Sequence, residues 1–260
     1  MSSSGGASGS ASGSASGSES GGGGRLAGRV AVVTGASRGI GAAIAEALAA
    51  DGAAVALVAR SGAALASLAS KIGGGAIAVP CDVSNAAAVH AAIADIQKRL
   101  AAPPTILVNN AGLFEIAPLA ETSEASFEGA IDINLVAPFR FVRALLPLMR
   151  AAGGGHVVTI GSVSDRNAFP GNGAYSAAKF GARGMHEVLR AETRGSAIRA
   201  TLVSPGPTDT SLWDEIDPDT RPEFPNRADM LRADDVARAV LFALTQPPRV
   251  NIDELRISPA

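Results

Sequence analysis

The apolar positions of this chain fall into two kinds of run that alternate along its length. The short runs, such as Val30–Val33, are β-branched and have no polar position, which is typical of strands buried on both faces of a sheet. The longer runs, such as Ala42–Ala50, are rich in Ala and Leu, which favour helices. The pattern therefore predicts repeated βα units.

Such alternation is typical of a parallel sheet with helices on both faces, and right-handed crossovers leave few topologies. The predicted fold class is therefore α/β: a single domain on a parallel sheet of about seven strands with helices on both faces. We expect Pro138 to kink the fourth helix, Ser84 to cap the third, and Pro207–Arg232 to leave the core. The predicted strands are Val30–Val33, Ala54–Ala59, Ala76–Val79, Thr105–Val108, His156–Ile160, Ile198–Val203 and a last one near Ile252–Ile257. The predicted helices are Ala42–Ala50, Ala63–Ile72, Asn85–Leu100, Glu124–Met149, Tyr175–Arg194 and Ala233–Leu244.

Three glycines lie where the first strand turns into the first helix. Glycine permits positive φ and the close approach of a ligand, and a helix N-terminus directs free N–H groups at whatever lies above the turn. This arrangement suits the pyrophosphate of a dinucleotide, although a Gly-rich turn without a ligand is the alternative. The candidate cofactor-binding residues of the turn are Gly35, Ser37, Arg38, Gly39, Ile40 and Gly41.

Composition separates the first 24 residues from the rest, because they are almost entirely Ser, Gly and Ala with Glu19 as the only charge. Such a segment buries too little apolar surface to offset its chain entropy, so residues 1–24 are predicted to be a disordered tail. The tail lacks the basic start and the apolar core of a secretory signal. Residues 25–260 are long enough for one α/β domain with a large core.

The formal net charge is −2 and neither sign clusters, which argues against nucleic acid or an anionic membrane as a partner. No apolar run reaches the about 18 residues that span a bilayer. The single cysteine, Cys81, excludes an intramolecular disulfide, and the three histidines lack the spacing of a metal site. We expect a cytoplasmic protein without a metal.

Ligands of open α/β sheets lie beyond the carboxyl ends of the strands, so the residues after each strand are the candidates for chemistry. After the second strand, Ala59 and Arg60 stand where an acidic residue would bind a ribose 2′-hydroxyl. Arg38 and Arg60 instead suit a 2′-phosphate, unless both are solvated surface residues. The cofactor is therefore predicted to be NADP, with NADPH preferred over NADH.

Two further strand ends carry polar side chains. After the third strand, Asp82 could accept a hydrogen bond from an adenine amino group, or it could be a turn acid. After the fourth strand, the run Asn109–Gly112 allows a cofactor to approach closely, or it could be a structural turn. The candidate cofactor-binding residues here are Asp82, Val83, Asn109, Ala111 and Gly112.

After the fifth strand comes Ser162, thirteen residues before Tyr175, and Lys179 follows on the same helix face. A phenol has a pKa of about 10, so it exchanges protons poorly at neutral pH unless a cation stabilises the phenolate. Lowering that pKa by about three units requires about 4 kcal/mol. The spacing predicts Tyr175 as general acid/base, Lys179 as the cation that lowers its pKa, and Ser162 as a donor to a carbonyl oxygen.

The glycine turn, the run Asn109–Gly112 and the set of Ser162, Tyr175 and Lys179 resemble those of the short-chain dehydrogenase/reductase family, and the likeness runs from about Arg25 to Ala260. This resemblance implies a doubly wound Rossmann-type sheet of seven strands. The resemblance implies that Asn134 is a fourth catalytic residue, which distorts its helix and holds a water that relays protons to Lys179. It also implies a homodimer or homotetramer that associates through the fourth and fifth helices. It places the following residues on the nicotinamide cofactor: Tyr175, Lys179, Pro205, Gly206, Thr208 and, at the carboxamide, Thr210.

These observations predict an NADP(H)-dependent oxidoreductase domain that interconverts a carbonyl and a secondary alcohol. Three alternatives stay open: epimerisation or dehydration on the same scaffold, a non-catalytic NADP-binding regulator, and an interaction module. We expect Ser211–Arg232, with Trp213 and Phe224, to cover the substrate, and Phe169 to line the mouth. The last strand lacks the Gly-rich ending common in the family, which leaves dimer or tetramer undecided.

Overall fold

The structure, a computed structural model, describes residues 24–260. Residues 1–23 of the predicted disordered tail lie outside the described residues. Seven parallel strands form one sheet in the order β3-β2-β1-β4-β5-β6-β9, which confirms the predicted doubly wound α/β class. The strands of this sheet are β1 Val30–Thr34, β2 Ala54–Ala59, β3 Ile77–Pro80, β4 Pro104–Asn109, β5 Gly155–Ile160, β6 Ile198–Pro205 and β9 Glu254–Ile257; β7 Thr208–Asp209 and β8 Leu231–Arg232 pair separately.

The strand order reverses beside β1, which pairs with β2 on one side and with β4 on the other. The crossovers from β1 run to one edge of the sheet, whereas those from β4 run to the other. The loops after β1 and β4 therefore separate and leave a crevice at their carboxyl ends. Every residue of β1 is buried, as the continuous apolar run predicted, whereas the edge strand β9 is partly exposed.

Six of the seven α-helices in the described part of the chain cover the two faces of the sheet, and the remaining short helix, Glu124–Ile131, packs on the helix Gly173–Thr193. On one face α1, α2 and α7 enclose a core that includes Ile44, Leu57 and Val240. On the other face α3, α5 and α6 enclose a second core that includes Ile93, Phe141 and Leu189. The helices are α1 Gly39–Ala50, α2 Gly62–Ile72, α3 Ala86–Arg99, α4 Glu124–Ile131, α5 Ala137–Ala151, α6 Gly173–Thr193 and α7 Ala233–Leu244.

The long helix predicted over Glu124–Met149 is interrupted, but not by a kink at Pro138. A π-helical turn over Asp132–Val136 separates α4 from α5, and the N–H of Ala137 donates to the carbonyl of Asp132, five residues earlier. Pro138 stands in the first turn of α5, directly after the irregular segment. Since proline has no N–H for the carbonyl four residues before it, the wider turn accommodates Pro138 without a break.

The predicted cap of α3 is also one residue off. Asn85, not Ser84, is the N-cap, and its Oδ1 accepts the N–H of Ala88 at 3.0 Å. The N–H and the hydroxyl of Ser84 instead donate to Asp82 Oδ1 at 3.0 and 2.7 Å. Both residue types cap helices well, and the competing carboxylate of Asp82 decides between them.

The segment after β6 leaves the sheet as expected. It contains three single 3-10 turns, at Ser211–Trp213, Pro218–Thr220 and Arg227–Asp229, and the short β7–β8 pair closes its base. This segment lies over the carboxyl end of the sheet, where Trp213 and Phe224 reach the main cleft. Among the helices that the structure describes, none combines the length and the apolar character that a bilayer crossing requires.

Candidate active site

One large cleft, of about 800 Å³, opens at the carboxyl ends of the sheet strands. Residues that follow β1 to β6 line it, together with the start of α6 and the segment after β6. Of the predicted site residues, only Asn109 and Asn134 are absent from its wall. The predicted residues that line it are Gly35, Ser37, Arg38, Gly39, Ile40, Gly41, Arg60, Asp82, Val83, Ala111, Gly112, Ser162, Tyr175, Lys179, Pro205, Gly206, Thr208 and Thr210.

The glycine turn forms a shallow cradle that leaves no space for side chains. Gly35 and Gly39 have φ of +67° and +56°, which L side chains rarely adopt. A Cβ on Gly35 would lie 2.8 Å from Cα of Ala111, and one on Gly41 would lie 2.5 Å from Asn110 Nδ2 and clash with the Gly35 carbonyl oxygen. An open backbone cradle at the start of α1 fits a pyrophosphate, as the sequence predicted.

Asn110, rather than Asn109, ties the end of β4 to this turn. Its side-chain amide donates to the carbonyls of Thr34 and Gly35 at 2.9 and 3.3 Å. The Thr34 hydroxyl in turn accepts the N–H groups of Asn110 and Ala111, both at 3.0 Å. Asn109 is the last residue of β4, 3% exposed, so its side chain points into the protein instead of the cleft.

The cofactor half of the cleft, which we define as the part lined by residues after β1, β2 and β3, carries two arginines. Arg38 and Arg60 line it beside Ala59, and no carboxylate stands at the end of β2. Asp82 lies nearby, and its hydrogen bonds from Ser84, aided by the charge of Arg60, hold the pKa of its carboxyl below the usual value. Asp82 is thus both a turn acid and a lining residue, so the two interpretations of it are compatible.

Ser162, Tyr175 and Lys179 meet at the exit of β5. Lys179 is 6% exposed, and its ammonium donates to the carbonyl of Ile160 at 2.9 Å and lies 5.6 Å from the centre of the Tyr175 ring. Burial lowers the pKa of Lys179 to about 8. Burial also raises the pKa of Tyr175 to about 12, and the neighbouring Ser162 side chain offsets only part of this.

The predicted lowering of the Tyr175 pKa by Lys179 is not seen in the cofactor-free protein, where the pKa is raised. Burial disfavours the charged phenolate most, the hydrogen bond with Ser162 offsets part of this, and the carboxylate of Asp165 raises the pKa further. In the cofactor-free protein Tyr175 is therefore a phenol at neutral pH. It is ready to donate a proton, not to accept one.

Asp165 is a buried residue of the site that the sequence analysis missed. Its carboxylate is 0% exposed, and its Oδ2 accepts the N–H of Ser162 at 3.3 Å and the hydroxyl of Ser204 at 2.5 Å. Its Oδ1 accepts Arg166 Nε at 2.9 Å, and Arg166 also pairs with Glu254 of β9 at 2.7 Å. This chain of bonds fixes the Ser162 backbone to the last two strands of the sheet.

Asn134 stands in the π-helical turn behind the cleft and is 1% exposed. Its amide donates to the carbonyls of Leu113 and Ala130 at 2.9 and 3.0 Å, and its Oδ1 accepts the N–H of Leu113 at 3.4 Å. It therefore joins the irregular helix to the loop after β4. Its place in a proton relay stays a prediction.

The loop after β6 closes the cleft from the opposite side. Pro205 is the last residue of β6 and Gly206 follows it, and the Thr208 hydroxyl donates to the Gly206 carbonyl at 3.0 Å. A Cβ on Gly39 would lie 3.2 Å from the methyl group of Thr210, so this loop packs against the glycine turn. The two predicted cofactor-binding segments are therefore neighbours.

Aromatic side chains line the substrate half of the cleft, which we define as the part beyond Tyr175 under the segment after β6. Phe114, which the sequence analysis missed, packs on Tyr175 with ring centres 4.9 Å apart and on Trp213 at 5.4 Å. Trp213 packs on Phe224 at 5.7 Å. Phe169 lies at the mouth and is 45% exposed. We call Phe114, Tyr175, Trp213 and Phe224 the aromatic wall.

Metal binding has no support in the geometry. Within residues 24–260, His, Cys, Asp and Glu side chains do not form a group of three or more that could hold an ion. Cys81 is buried, and burial raises the pKa of its thiol to about 11, so it is a poor nucleophile. It packs with the core under α3 and α5 as a small apolar residue.

Comparison with known sequences identifies one family. The sequence profile described as short chain dehydrogenase matches residues 29–221. An uncharacterized oxidoreductase of Staphylococcus saprophyticus is 34% identical over 233 residues, which cover 88% of this chain and 96% of that protein. A glycine betaine reductase of Emericella nidulans is 40% identical over 235 residues, 88% of this chain, but the chain spans only 18% of that protein's length.

Solved structures with the same fold also bind nicotinamide cofactors. An alcohol dehydrogenase from the archaeon Thermococcus sibiricus, complexed with 5-hydroxy-NADP, is 31% identical with a TM-score of 0.78 and covers 89% of this chain and 97% of its own. A metagenomic short-chain oxidoreductase in complex with NADP is 34% identical, also with a TM-score of 0.78, and covers 91% and 99%.

Proposed function

The chain belongs to the short-chain dehydrogenase family, and from this premise we propose that it interconverts a carbonyl and a secondary alcohol with NADP(H). One observation carries the proposal. The side chains of Ser162, Tyr175 and Lys179 meet in the same cleft as a backbone cradle at the start of α1. A proton donor and a site for a hydride carrier are the two parts that carbonyl reduction needs.

The residues present fit NADP. The glycine cradle would hold the pyrophosphate, and Arg38 and Arg60 would hold the 2′-phosphate of the adenosine ribose. Asp82 and Val83 would lie against the adenine. Supporting this assignment, the two solved relatives described above are NADP complexes. At the other end the same proposal places Lys179 on the nicotinamide ribose and Thr208 and Thr210 near the carboxamide.

The cofactor, when bound, supplies a hydride to the carbonyl carbon and becomes positively charged on oxidation. The chain supplies the proton. In this proposal the Tyr175 hydroxyl donates its proton to the carbonyl oxygen, and the Ser162 hydroxyl donates a hydrogen bond to that oxygen as negative charge develops there. The Lys179 ammonium stabilises the phenolate that remains on Tyr175, and Asn134 holds the helix behind them.

In the empty cleft Tyr175 is in the protonated form that the proposed reduction needs. The pKa of Tyr175 is raised to about 12 by burial, so the phenol holds its proton until a carbonyl oxygen becomes strongly basic. Alcohol oxidation requires the phenolate and is expected to need alkaline pH. Among the alternatives, a non-catalytic NADP-binding regulator would not need this buried Tyr–Lys pair.

The decisive experiment is NADPH oxidation by the purified protein against a panel of ketones, aldehydes and quinones. Turnover of any of them that is lost in Tyr175→Phe supports the proposal. NADPH binding without turnover on the whole panel would instead identify a regulator, and the absence of NADPH binding would leave an interaction module.

One relative bears on the substrate. The Emericella nidulans protein is named a glycine betaine reductase, and glycine betaine is a quaternary ammonium compound. The chain spans 18% of that protein, so we do not carry its whole activity over. From this likeness we propose only that this chain is a reductase that acts on a carbonyl substrate.

Domain organisation, location and assembly belong to the same proposal. We propose one NADP-binding domain over residues 25–260, a cytoplasmic location and a homodimer or homotetramer. Exposed apolar side chains on α5 and α6 support association: Phe139, Phe180 and Val188 are 48%, 44% and 56% exposed. Light scattering coupled to size-exclusion chromatography measures the mass directly.

A further inference from the structure

The two halves of the cleft differ in charge. Arg38 and Arg60 line the cofactor half, and Lys179 stands at the chemistry between the two halves, 6% exposed. In the substrate half, Glu223 is the only charged side chain among the described lining residues. A substrate carboxylate or phosphate would therefore have no cation to bind there beyond the reacting centre itself.

The aromatic wall offers ring faces at steep angles to one another. The planes of Phe114 and Tyr175 meet at 70°, those of Phe114 and Trp213 at 64°, and those of Trp213 and Phe224 at 63°. The face of an aromatic ring carries partial negative charge and attracts cations. One ring of the wall already contacts a cation, because the guanidinium of Arg221 lies 4.9 Å from the centre of the Phe224 ring.

The segment that covers the substrate half is strongly acidic. Residues 207–229 contain seven acidic side chains and two arginines, a formal charge of −5, against −2 for the whole chain. Arg227 pairs with Asp209 and Asp214 at 2.8 and 2.7 Å, and Arg221 pairs with Glu223 at 2.7 Å. The acidic residues of the segment are Asp209, Asp214, Glu215, Asp217, Asp219, Glu223 and Asp229.

On the premise of the proposed carbonyl reduction, we infer that the substrate carries a permanent positive charge, a quaternary ammonium group beside its carbonyl. The acidic segment would draw such a cation to the mouth, and it would repel anionic substrates. Phe114, Trp213 and Phe224 have ring faces and no hydrogen-bond acceptor. A quaternary ammonium group donates no hydrogen bonds to water, so it gives up none when it binds these ring faces. A primary ammonium group would give up its hydrogen bonds to water without replacing them.

The chemistry leaves the ammonium group unchanged. The carbonyl carbon gains a hydride from NADPH, the carbonyl oxygen gains the proton of Tyr175, and the products are NADP⁺ and a secondary alcohol that keeps its charge. Solvent then returns a proton to Tyr175.

Two ketones of the same shape test the inference. Acetonyltrimethylammonium and methyl neopentyl ketone differ only in that a nitrogen cation replaces a quaternary carbon. We expect kcat/KM for the cation to exceed that for the neutral ketone by at least about tenfold at low salt. The ratio should shrink as sodium chloride is added, because salt screens the acidic segment.

Two variants locate the effect. Trp213→Leu removes a ring face, and Glu223→Gln leaves the Arg221 cation without its partner, so both should lower the cation-to-neutral ratio several-fold. Glu192→Gln is the matched control, because it removes one exposed acid at the C-terminal end of α6, far from Tyr175, and should leave the ratio unchanged. If Trp213→Leu fails to fold, Glu223→Gln decides.

The outcomes separate this inference from the proposed function. Equal or better turnover of the neutral ketone, or a ratio unchanged in both cleft variants, overturns the cationic substrate and leaves carbonyl reduction standing. Turnover of other carbonyls but of neither test ketone also overturns it. Failure to oxidise NADPH with any carbonyl overturns the proposed function itself.

Discussion

The Nζ of Lys179 lies 5.6 Å from the centre of the Tyr175 ring while its hydrogen bond goes to the carbonyl of Ile160 at 2.9 Å. The ammonium is thus held by the sheet and not by the phenol that it is expected to assist. Both side chains are shifted towards their uncharged forms by burial, with pKa values of about 8 for Lys179 and about 12 for Tyr175. At neutral pH the pair is therefore a protonated phenol beside an ammonium, which is the form that can give a proton.

Tyr175→Phe tests this arrangement with the loss of one oxygen and little volume. We expect turnover to fall by at least about 10²-fold, typical for the loss of a general acid/base, while NADPH binding is retained. Lys179→Ala should be comparably damaging and should also weaken NADPH binding, and the two defects should not add in the double variant, because the residues act as one unit. Steady-state kinetics and a fluorescence titration measure these effects; near-normal turnover in Tyr175→Phe would rule out the mechanism.

Cofactor choice depends on the end of β2, where Ala59 and Arg60 line the cleft without a carboxylate. We expect kcat/KM with NADPH to exceed that with NADH by at least about tenfold, or about 1.4 kcal/mol. Ala59→Asp with Arg60→Ala should erase or reverse the preference, because a carboxylate repels the 2′-phosphate and accepts a hydrogen bond from a ribose hydroxyl. Equal efficiencies with the two cofactors in the parent protein would contradict the assignment.

Two helical glycines, Gly41 in the cradle and Gly184 in α6, should respond in opposite ways to an added methyl group. A Cβ on Gly41 would clash with the Gly35 carbonyl oxygen and lie 2.5 Å from Asn110 Nδ2, so Gly41→Ala must displace the cradle. We expect a stability loss of about 1–3 kcal/mol and weaker NADPH binding. Gly184→Ala is the control, because nothing lies within 4 Å of its Cβ position, and it should gain about 0.5–1 kcal/mol. Thermal melts with and without NADPH compare the two.

Because His186 is buried, the free energy of unfolding should decrease as the pH is lowered. His186 is 2% exposed, its Nδ1 bonds the Thr159 hydroxyl at 2.9 Å, and burial, with help from Arg190 and against Asp253, lowers its pKa to about 4. In the unfolded chain His186 binds a proton below about pH 6.5, whereas in the folded chain it stays neutral down to about pH 4. The free energy of unfolding should therefore decrease by about 3 kcal/mol as the pH falls from about 6.5 towards 4.

His186→Gln keeps a hydrogen-bonding group and removes the titration. Urea unfolding at several pH values should show a shallower acid slope for this variant than for the parent. Part of the slope should remain, because burial also lowers the pKa of His156 well below its ordinary value. An unchanged slope would show that His186 is not a source of the acid sensitivity.

The sequence predicted the sheet and most of the cleft wall, because continuous apolar runs locate strands and the residues after them must meet at one edge. Within the predicted run Asn109–Gly112, Asn109 lies outside the cleft wall and Asn110 binds the glycine turn. A shift of one residue at a strand end changes the face, and the strand boundary is not readable to that precision. Phe114 and Asp165 were missed because their partners, Trp213 and Ser204, lie far along the chain.

Asp165 provides the last test, because it places a buried negative charge beside the reacting groups. Burial is the larger cause of both shifts, since it raises the pKa of Tyr175 and lowers that of Lys179, and the charge of Asp165 raises both. Asp165→Asn keeps the shape and removes the charge, so both pKa values should fall. Alcohol oxidation requires the phenolate, and its rising limb with pH should therefore move to lower pH by about one unit.

Ser204→Ala separates this effect from packing around the carboxylate. It removes the 2.5 Å hydrogen bond to Asp165 but leaves the charge in place, so it should cost some stability without moving the limb. The measurement is kcat for alcohol oxidation across pH in the parent and in both variants, with melting temperatures recorded in parallel. A limb that stays in place in Asp165→Asn, or moves equally in Ser204→Ala, would show that Asp165 only holds the Ser162 loop and does not set the proton affinity of Tyr175.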